Sequence, residues 1–292
     1  MNIHKQKLAP GIIFVGVPIG TARDITLRAL DTLASADVLA AEDTRSLRKL
    51  MDIHGVALDG RRIVALHDHS GGNTVDRLVA AAREGQSVAY ASEAGMPLIA
   101  DPGFELSRAA TEAGVPVTCA PGPSAVLTAL ALGGLPTDAF HFAGFLPAAK
   151  AARTSALQAL AGTAATLVFY ESPKRLGAML KDAAEALGAD RQVAVCRELT
   201  KRFEEVRRGT LADLAEIYAT EKPKGEIVVL VDRGRSETVN LEDIEEDLKA
   251  ALGEMSMRDA VDAVAAAHAQ PRRRVYQMAL TLNRSEDGKG EL

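Results

Sequence analysis

Residues 11–20 read Gly11-Ile12-Ile13-Phe14-Val15-Gly16-Val17-Pro18-Ile19-Gly20. The apolar run at 12–17 carries no charge and ends in a turn built from glycine and proline. That is the pattern of a strand buried on both faces. A leader peptide is the rival reading, since two lysines precede the run, but Gly11, Gly16 and Pro18 interrupt it. Four similar runs follow, VLAAE (38–42), IVALH (63–67), SVAYAS (87–92) and VPVTCA (115–120). Between them lie TLRALDTLAS (26–35), NTVDRLVAAAREG (73–85) and FELSRAATEAG (104–114), with apolar spacings of three and four. Gly85 and Gly114 stand where helix C-cap glycines belong. Strand and helix in alternation predict a parallel sheet covered on both faces, ending near Pro121-Gly122-Pro123.

The pattern then changes. HFAGF (141–145), TLVFYES (166–172), QVAVCRE (192–198), FEEVRRG (203–209) and EIVVLVD (226–232) read as strands, but only some are separated by helices. The short gap between the third and fourth predicts a hairpin, hence a mixed or antiparallel second sheet. The fold class is therefore α/β, with two dissimilar α/β domains at residues 1–122 and 123–234 and a cleft between them. Residues 235–292 form a linker and a small C-terminal helical extension, beginning with the polar stretch RGRSETVN (233–240). Ser256 is placed to N-cap one tail helix with Asp259 three residues on, Pro271 suits the first position of the next, and SEDGKGEL (285–292) reads as unordered.

Composition bounds the function. With 292 residues, 47% hydrophobic, the chain can build more than one core; with 4% aromatics and no tryptophan, those cores are Ala, Leu, Val and Ile. No run of membrane-spanning length is free of charges and breakers, so no membrane partner and a cytoplasmic location are expected. Cys119 and Cys196 lie in strand-like runs and read as buried thiols, with no spacing that suggests zinc. A formal net charge of −5 does not advertise a nucleic-acid binder. Local basic groups nevertheless occur at Lys174-Arg175, Lys201-Arg202, Arg207-Arg208, Lys222 with Lys224, and Arg272-Arg273-Arg274; each such group is more often a solvated surface.

The turns after the strands carry the chemistry. A dinucleotide site would show a G-x-G turn at a helix N-terminus, and 16–20 has proline in the middle and the wrong glycine spacing. Ser92-Glu93-Ala94-Gly95-Met96-Pro97 follows the fourth strand, with Asp101-Pro102-Gly103 close behind, and Pro121-Gly122-Pro123-Ser124-Ala125 follows the fifth. Ligands of open α/β sheets bind beyond the carboxyl ends of the strands, so these loops would line one crevice. Each alone is ordinary turn chemistry.

Together with these loops, several strings resemble the ribosomal RNA small subunit methyltransferase I family of the tetrapyrrole-methylase superfamily. They are Val17-Pro18-Ile19-Gly20, residues 24–30 (DITLRAL), 41–45 (AEDTR), 66–69 (LHDH), 133–136 (GGLP), 144–147 (GFLP), 169–172 (FYES), 197–201 (RELTK) and 224–226 (KGE). The resemblance runs in order from about residue 11 to 232. Where that family usually has Ser-Asp-Ala-Gly, this chain has Ser92-Glu93-Ala94-Gly95, an acid about one methylene longer.

The resemblance implies a homodimer that holds S-adenosyl-L-methionine folded in the cleft. It implies 2′-O-methylation of a cytidine in the decoding region of 16S rRNA, on the assembled small ribosomal subunit. Carried over position by position, the cofactor should meet Pro18, Ile19, Glu93, Ala94, Gly95, Met96, Pro97, Ser124 and Ala125, and from the second domain Phe145, Tyr170, Glu226 and Ile227. A ribose hydroxyl is a weak acid, so a base or cation near it would help. The candidates are Glu42, Asp43, Arg45, His67, His69 and Glu198. His67 and His69 would share one face if their strand continued, but no third metal ligand is apparent and no metal is expected. Arg45, Lys174, Arg175, Lys201 and Arg272 to Arg274, the last beside Tyr276, are the candidates for RNA contact. Competing readings are a C-methyltransferase for a tetrapyrrole precursor, a diphthine-synthase-like protein methylase, and a non-catalytic ribosome-binding factor; the strings at 41–45, 66–69 and 169–172 point to the ribosomal branch.

Overall fold

The computed structural model describes residues 3–67, 72–234, 241–268 and 272–287. By internal contacts the chain divides into two compact units, Met1–Arg233 and Gly234–Leu292.

The first unit contains two sheets. One is parallel, in the order β3-β2-β4-β1-β5, built from β1 (Gly11–Val15), β2 (Val38–Ala41), β3 (Ile63–Ala65), β4 (Ser87–Ala91) and β5 (Val117–Ala120). Helices α1 (Leu27–Ser35) and α2 (Thr44–His54) cover one face through Leu30, Leu33, Leu47 and Met51. Helices α3 (Gly72–Arg83) and α4 (Phe104–Glu112) cover the other through Leu78, Val79 and Leu106. Short polar residues start two of these helices: Thr26 Oγ1 accepts from the Ala29 amide at 3.1 Å, and Asp43 accepts from the Arg45 amide at 2.8 Å.

The central strands are buried as expected, but the outer ones are not. β5 is an edge strand whose residues 117–119 lie open, so Cys119 is exposed while Cys196 is buried. A run rich in β-branched residues reads the same at an edge as at the centre, because periodicity reports strand and not neighbours. β3 stops at Ala65, two residues before His67, so the alternation that would pair His67 with His69 does not extend that far; His69 lies outside the described residues.

The second sheet is mixed, in the order β6-β7-β10-β8-β9, from β6 (Phe140–Phe145), β7 (Thr166–Glu171), β8 (Gln192–Arg197), β9 (Glu205–Thr210) and β10 (Ile227–Val231). β6 and β7 are parallel; β7, β10, β8 and β9 pair antiparallel, including the expected β8–β9 hairpin. Helices α6 (Lys150–Leu160), α7 (Leu176–Leu187) and α8 (Leu211–Thr220) pack on one face through Leu157, Met179 and Leu214. α5 (Ala125–Gly133) packs on the other through Val126, Ala129 and Leu130, and Ile19 of the first turn joins that core.

The second unit holds α9 (Leu241–Glu254), α10 (Met257–Ala267) and α11 (Arg272–Asp287) around Leu248, Val261, Val264 and Val275. Ser256 caps α10: its Oγ accepts from the Asp259 amide at 3.3 Å and donates to the Asp259 carboxylate at 2.6 Å. α11 runs to Asp287, into the stretch expected to be unordered. Pro271 and residues 235–240 of the expected linker lie outside the described residues.

Candidate active site

The loops after β1 and β4 meet at the carboxyl edge of the parallel sheet, where the strand order reverses. Val17 and Gly95 exchange both backbone hydrogen bonds, at 2.9 and 3.1 Å. Gly95 has φ +74, which an L side chain seldom adopts, and a Cβ there would lie 3.2 Å from Ile19 Cγ2. Gly16 and Gly122 touch backbone to backbone, so that a Cβ on Gly16 would stand 2.6 Å from the Gly122 nitrogen. Beyond Gly95 the chain carries Leu98 at φ +72 and Ala100 at φ +60, strain of the kind that tertiary contacts impose at ligand sites.

The opposite wall comes from the second sheet. Tyr170 near the end of β7 contacts Phe145 at the end of β6 edge to face, with ring centroids 5.6 Å apart, and Phe142 at 5.0 Å. Glu226 and Ile227 open β10 beside them. The loop after β8 carries Glu198 at φ +51 and Thr200 at φ +62. Lys201 fixes it: its ammonium lies 2.9 Å from carboxylate oxygens of both Glu198 and Glu226, and Glu198 also accepts from the Glu226 amide at 3.0 Å. Thr200 Oγ1 accepts from the Thr21 amide at 3.2 Å, tying this loop to the turn after β1.

Between the walls lies a cleft of about 360 Å³. It is lined by Ile19, Ala94, Gly95, Met96, Ser124, Ala125, Phe145, Tyr170, Glu226 and Ile227, all expected from the sequence. Ile99, Ala100, Asp101, Glu171, Ser172, Pro173, Leu199, Gly225 and Val228 line it as well, and had not been singled out as cofactor contacts. Asp101 and Glu171 each stood within or beside a string already noted, so proximity to those strings was the available signal. Leu199 likewise stands within the string at 197–201, whereas Val228 looks like an ordinary core residue and nothing local marks it.

Pro18, Glu93 and Pro97 do not line this cleft. Pro18 and Glu93 face a neighbouring recess instead. Pro97 is buried under its loop.

The cleft is apolar with an acidic bias. Asp101, Glu171 and Glu226 stand in its wall, and none of its described lining residues carries a positive side chain. The Tyr170 phenol is pushed up to about 12 by burial, and further by Asp101 and Glu226, so it stays protonated as a donor. Glu171 is buried; one carboxylate oxygen accepts from the Ser172 amide at 2.7 Å and lies 3.3 Å from Arg175 Nε, while no hydrogen-bond donor meets the other among the described residues.

The candidate acid–base residues are not gathered in the cleft. Glu42 accepts from the Glu93 amide at 3.0 Å. Asp43 is engaged as the N-cap of α2 rather than standing free as a base: the Arg45 amide and then its guanidinium hold the Asp43 carboxyl below the usual range. Arg45 reaches back to Asp43 at 3.3 Å from an otherwise exposed position. His67 is exposed beyond the end of β3. Among the described residues no group of three or more His, Cys, Asp or Glu is arranged to hold a metal ion.

Several expected RNA contacts are turned to internal work instead. Arg175 donates to the Leu146 carbonyl at 2.5 Å and pairs with Glu171. Lys201 is enclosed between two carboxylates, and Arg272 pairs with Asp262 of α10. Arg207 binds Glu205 and Glu221, and Arg208 donates to the Gly133 carbonyl at 3.0 Å. The buried Glu171 carboxylate claims Arg175 because an unpaired polar group there is costly, whereas Glu226, Glu221 and Asp262 are open to solvent and pair with their cations by proximity. Lys174, Arg273 and Arg274 are exposed.

Residues 11–215 match the family model described as Tetrapyrrole (Corrin/Porphyrin) Methylases, and residues 239–283 match that of the RsmI C-terminal HTH domain. Over 291 residues the chain is 45% identical to Ribosomal RNA small subunit methyltransferase I of Mesorhizobium japonicum, covering 99% of this chain and 98% of the relative.

The chain belongs to the ribosomal RNA small subunit methyltransferase I family.

Other members of the family are similarly related: that of Mycobacterium bovis is 44% identical, covering 96% of this chain and 98% of its own. That of Escherichia coli O157:H7 is 39% identical, covering 92% and 94%. Among solved structures, uroporphyrin-III-C-methyltransferase from Thermus thermophilus shows 25% identity and a TM-score of 0.54, covering 80% of this chain and 98% of that one. A diphthine synthase, at 15% identity and a TM-score of 0.55, covers 76% and 90% and shares the fold. The resemblance to the ribosomal RNA small subunit methyltransferase I family read from residues 11–232 is borne out, and the match extends through the helical tail.

Proposed function

We propose that this protein transfers the methyl group of S-adenosyl-L-methionine to the ribose 2′-oxygen of a cytidine in the decoding region of 16S rRNA, with the assembled small subunit as substrate. The observation that carries the reading is the cleft: apolar, acidic and free of positive side chains among its described lining residues, in a chain 45% identical to a ribosomal RNA methyltransferase.

The donor set suits this cofactor, which brings an activated methyl on a cationic sulfonium. Asp101 favours positive charge in the cleft, Glu171 and Glu226 do so less because Arg175 and Lys201 pair with them, and a dinucleotide's phosphates would meet no cation among the described lining residues. Ile19, Met96, Leu199, Ile227 and Val228 offer apolar surface to adenine, with Phe145 and Tyr170 at the edge. Ala94, Gly95, Ala100 and Ala125 leave backbone groups open to close approach. Glu171 keeps an acceptor without a donor, which a ligand N–H or O–H would supply.

In this reading the chain chiefly aligns its reactants, for which positioning alone is worth several kcal/mol. The Val17–Gly95 bridge and the Lys201 network hold the two walls. Tyr170 lines the cleft and stays a proton donor, whereas Asp43 caps α2 and Glu42 accepts from the Glu93 amide. Residues 1–122 and 123–234 are proposed to share the cofactor and residues 235–292 to serve the ribosome, which fits the match of 239–283 to a helix-turn-helix model. Homodimeric assembly and a cytoplasmic location belong to the same reading.

The test is methyl transfer from radiolabelled cofactor to small subunits lacking the modification, followed by mass mapping. Label on one decoding-region cytidine ribose is the expected result. Labelled tetrapyrroles with unlabelled rRNA would move the assignment to the tetrapyrrole branch, whose solved relative leaves part of this chain uncovered.

A further inference from the structure

Beside the cofactor cleft lies a second recess of about 210 Å³ that the reading above does not use. The two cavities are built on the same strip of chain. Ile19 and Gly95 face the cleft, while Pro18, Gly20 and Glu93 face the recess, and the Val17–Gly95 bridge pins the strip between them. The far wall is helix α2, which presents Ser46, Lys49, Leu50 and Ile53 at spacings of three and four.

The α2 wall differs from the cleft in chemistry. Lys49 is exposed there, flanked by Arg45 and Arg48, which pair with Asp43 and Asp52, and Ile53 leaves 56% of its surface open although it is a large aliphatic residue. Lys49 and Ile53 also border a shallower depression with Arg45 and Arg48 on the outer side of the helix. A cation next to open apolar surface is what a nucleotide needs: the one neutralises phosphate, the other receives a base face. The cleft supplies open apolar surface, Ile99 among it, but no cation among its described lining residues; α2 supplies a cation and an open aliphatic side chain together across the strip.

We propose that this recess receives one nucleotide of the substrate RNA, taken out of its stack, with Lys49 on its phosphate and Ile53 against its base. Glu93 faces the same recess and provides a carboxylate acceptor for a base amino group, which sets the base inward and the phosphate toward α2. The proposal rests on the rRNA-methyltransferase reading and adds the substrate side of the site to it.

The test uses the full chain and small subunits lacking the modification. With a benzophenone amino acid in place of Ile53, photocrosslinks are expected on the methylated nucleotide or its immediate neighbours. Lys49→Glu is expected to lower affinity for the subunits roughly tenfold and to flatten its salt dependence, while cofactor affinity, read by calorimetry, stays at the wild-type value and reports an intact fold. Wild-type methylation of rRNA together with crosslinks that map elsewhere, or with Lys49→Glu subunits binding as wild type, overturns the recess assignment alone. If the wild-type protein leaves rRNA unlabelled, the functional reading falls and the recess assignment with it.

Discussion

Val17 and Gly95 are bonded to each other in both directions, amide to carbonyl at 2.9 Å one way and 3.1 Å the other. This antiparallel bridge joins the turn after β1 to the loop after β4, and the cleft and the α2 recess lie on its two sides. Gly95→Val should therefore harm binding more than folding. A side chain at φ +74, with its Cβ 3.2 Å from Ile19, costs on the order of 1–3 kcal/mol in strain. Cofactor affinity should fall tenfold or more in calorimetric titration, with a folded far-UV signal retained. Unchanged affinity would remove the bridge from the binding account.

Arg175 is expected to act in stability and not in RNA affinity. Its partner Glu171 has a side chain only 1% exposed, and Arg175 itself is 30% exposed. Arg175→Ala should cost about 3 kcal/mol, toward the low end for breaking a buried pair because one partner is partly solvated. Urea unfolding measures the loss. Small-subunit binding at a temperature where the variant is folded should match wild type, and a large binding defect there would return Arg175 to the RNA surface.

The Glu198–Lys201–Glu226 network predicts a pH dependence with a definite sign. Glu198 is held below its ordinary value of 4.5, first by the hydrogen bond from Lys201. A depressed carboxylate stabilises the fold above that ordinary value and loses its contribution as pH falls through the lowered folded value. Lys201 is raised above its ordinary 10.5 by Glu226 and Glu198 against the opposing effect of burial, so its contribution persists through neutral pH and fades only as pH rises through the raised value. The stability gap between wild type and Lys201→Met should accordingly be full near pH 7 and shrink toward pH 3. A gap that stayed constant on acidification would show that Lys201 acts by packing alone.

The two thiols should separate cleanly. Cys119 is exposed on edge strand β5, whereas Cys196 is buried, with its thiol pushed up to about 11 by that burial. The native protein should titrate one thiol with an aromatic disulfide reagent and the second only in denaturant. Loss of the reaction in Cys119→Ser identifies the first; rapid labelling of both would contradict the burial of Cys196.

In the tail, Arg273 and Arg274 are exposed at the start of α11, while Arg272 is paired with Asp262. In helix-turn-helix modules the early residues of the recognition helix meet nucleic acid. Arg273→Glu with Arg274→Glu should weaken small-subunit binding several-fold and leave cofactor affinity unaltered. Filter binding at two salt concentrations checks this, and equal binding would make these arginines a solvated surface.

Much of this was legible in the sequence, for identifiable reasons. Ile12 to Val15, Val88 to Ala91 and Val228 to Val231 are apolar without interruption because both faces of their strands are covered. Ser256 stands where a helix start needs a short polar acceptor and caps α10, while Asp43, which reads in the sequence as a candidate base, caps α2. The loops at 94–96 and 124–125 combine small residues with the carboxyl ends of strands, and they do line the cleft. Leu98, Ala100, Glu198 and Thr200 could not be read in that way: their left-handed backbone is not written in residue type, since nothing but surrounding contacts holds a non-glycine residue there.

What the sequence by itself determined is the alternation of strand and helix, the hairpin in the second half, the helix starts and the family. These are encoded by neighbours three or four positions apart, or by the order of short strings. Only the tertiary structure decided which of two adjacent cavities Pro18 and Ile19 face, that β5 is an edge, and which cations remain open to solvent. Lys201 meets Glu226 across 25 positions and Arg175 meets Leu146 across 29. Such pairings exist only once folding has brought the segments together: proximity then joins Lys201 to the exposed Glu226, while the cost of leaving the buried Glu171 carboxylate unmet holds Arg175 beside it.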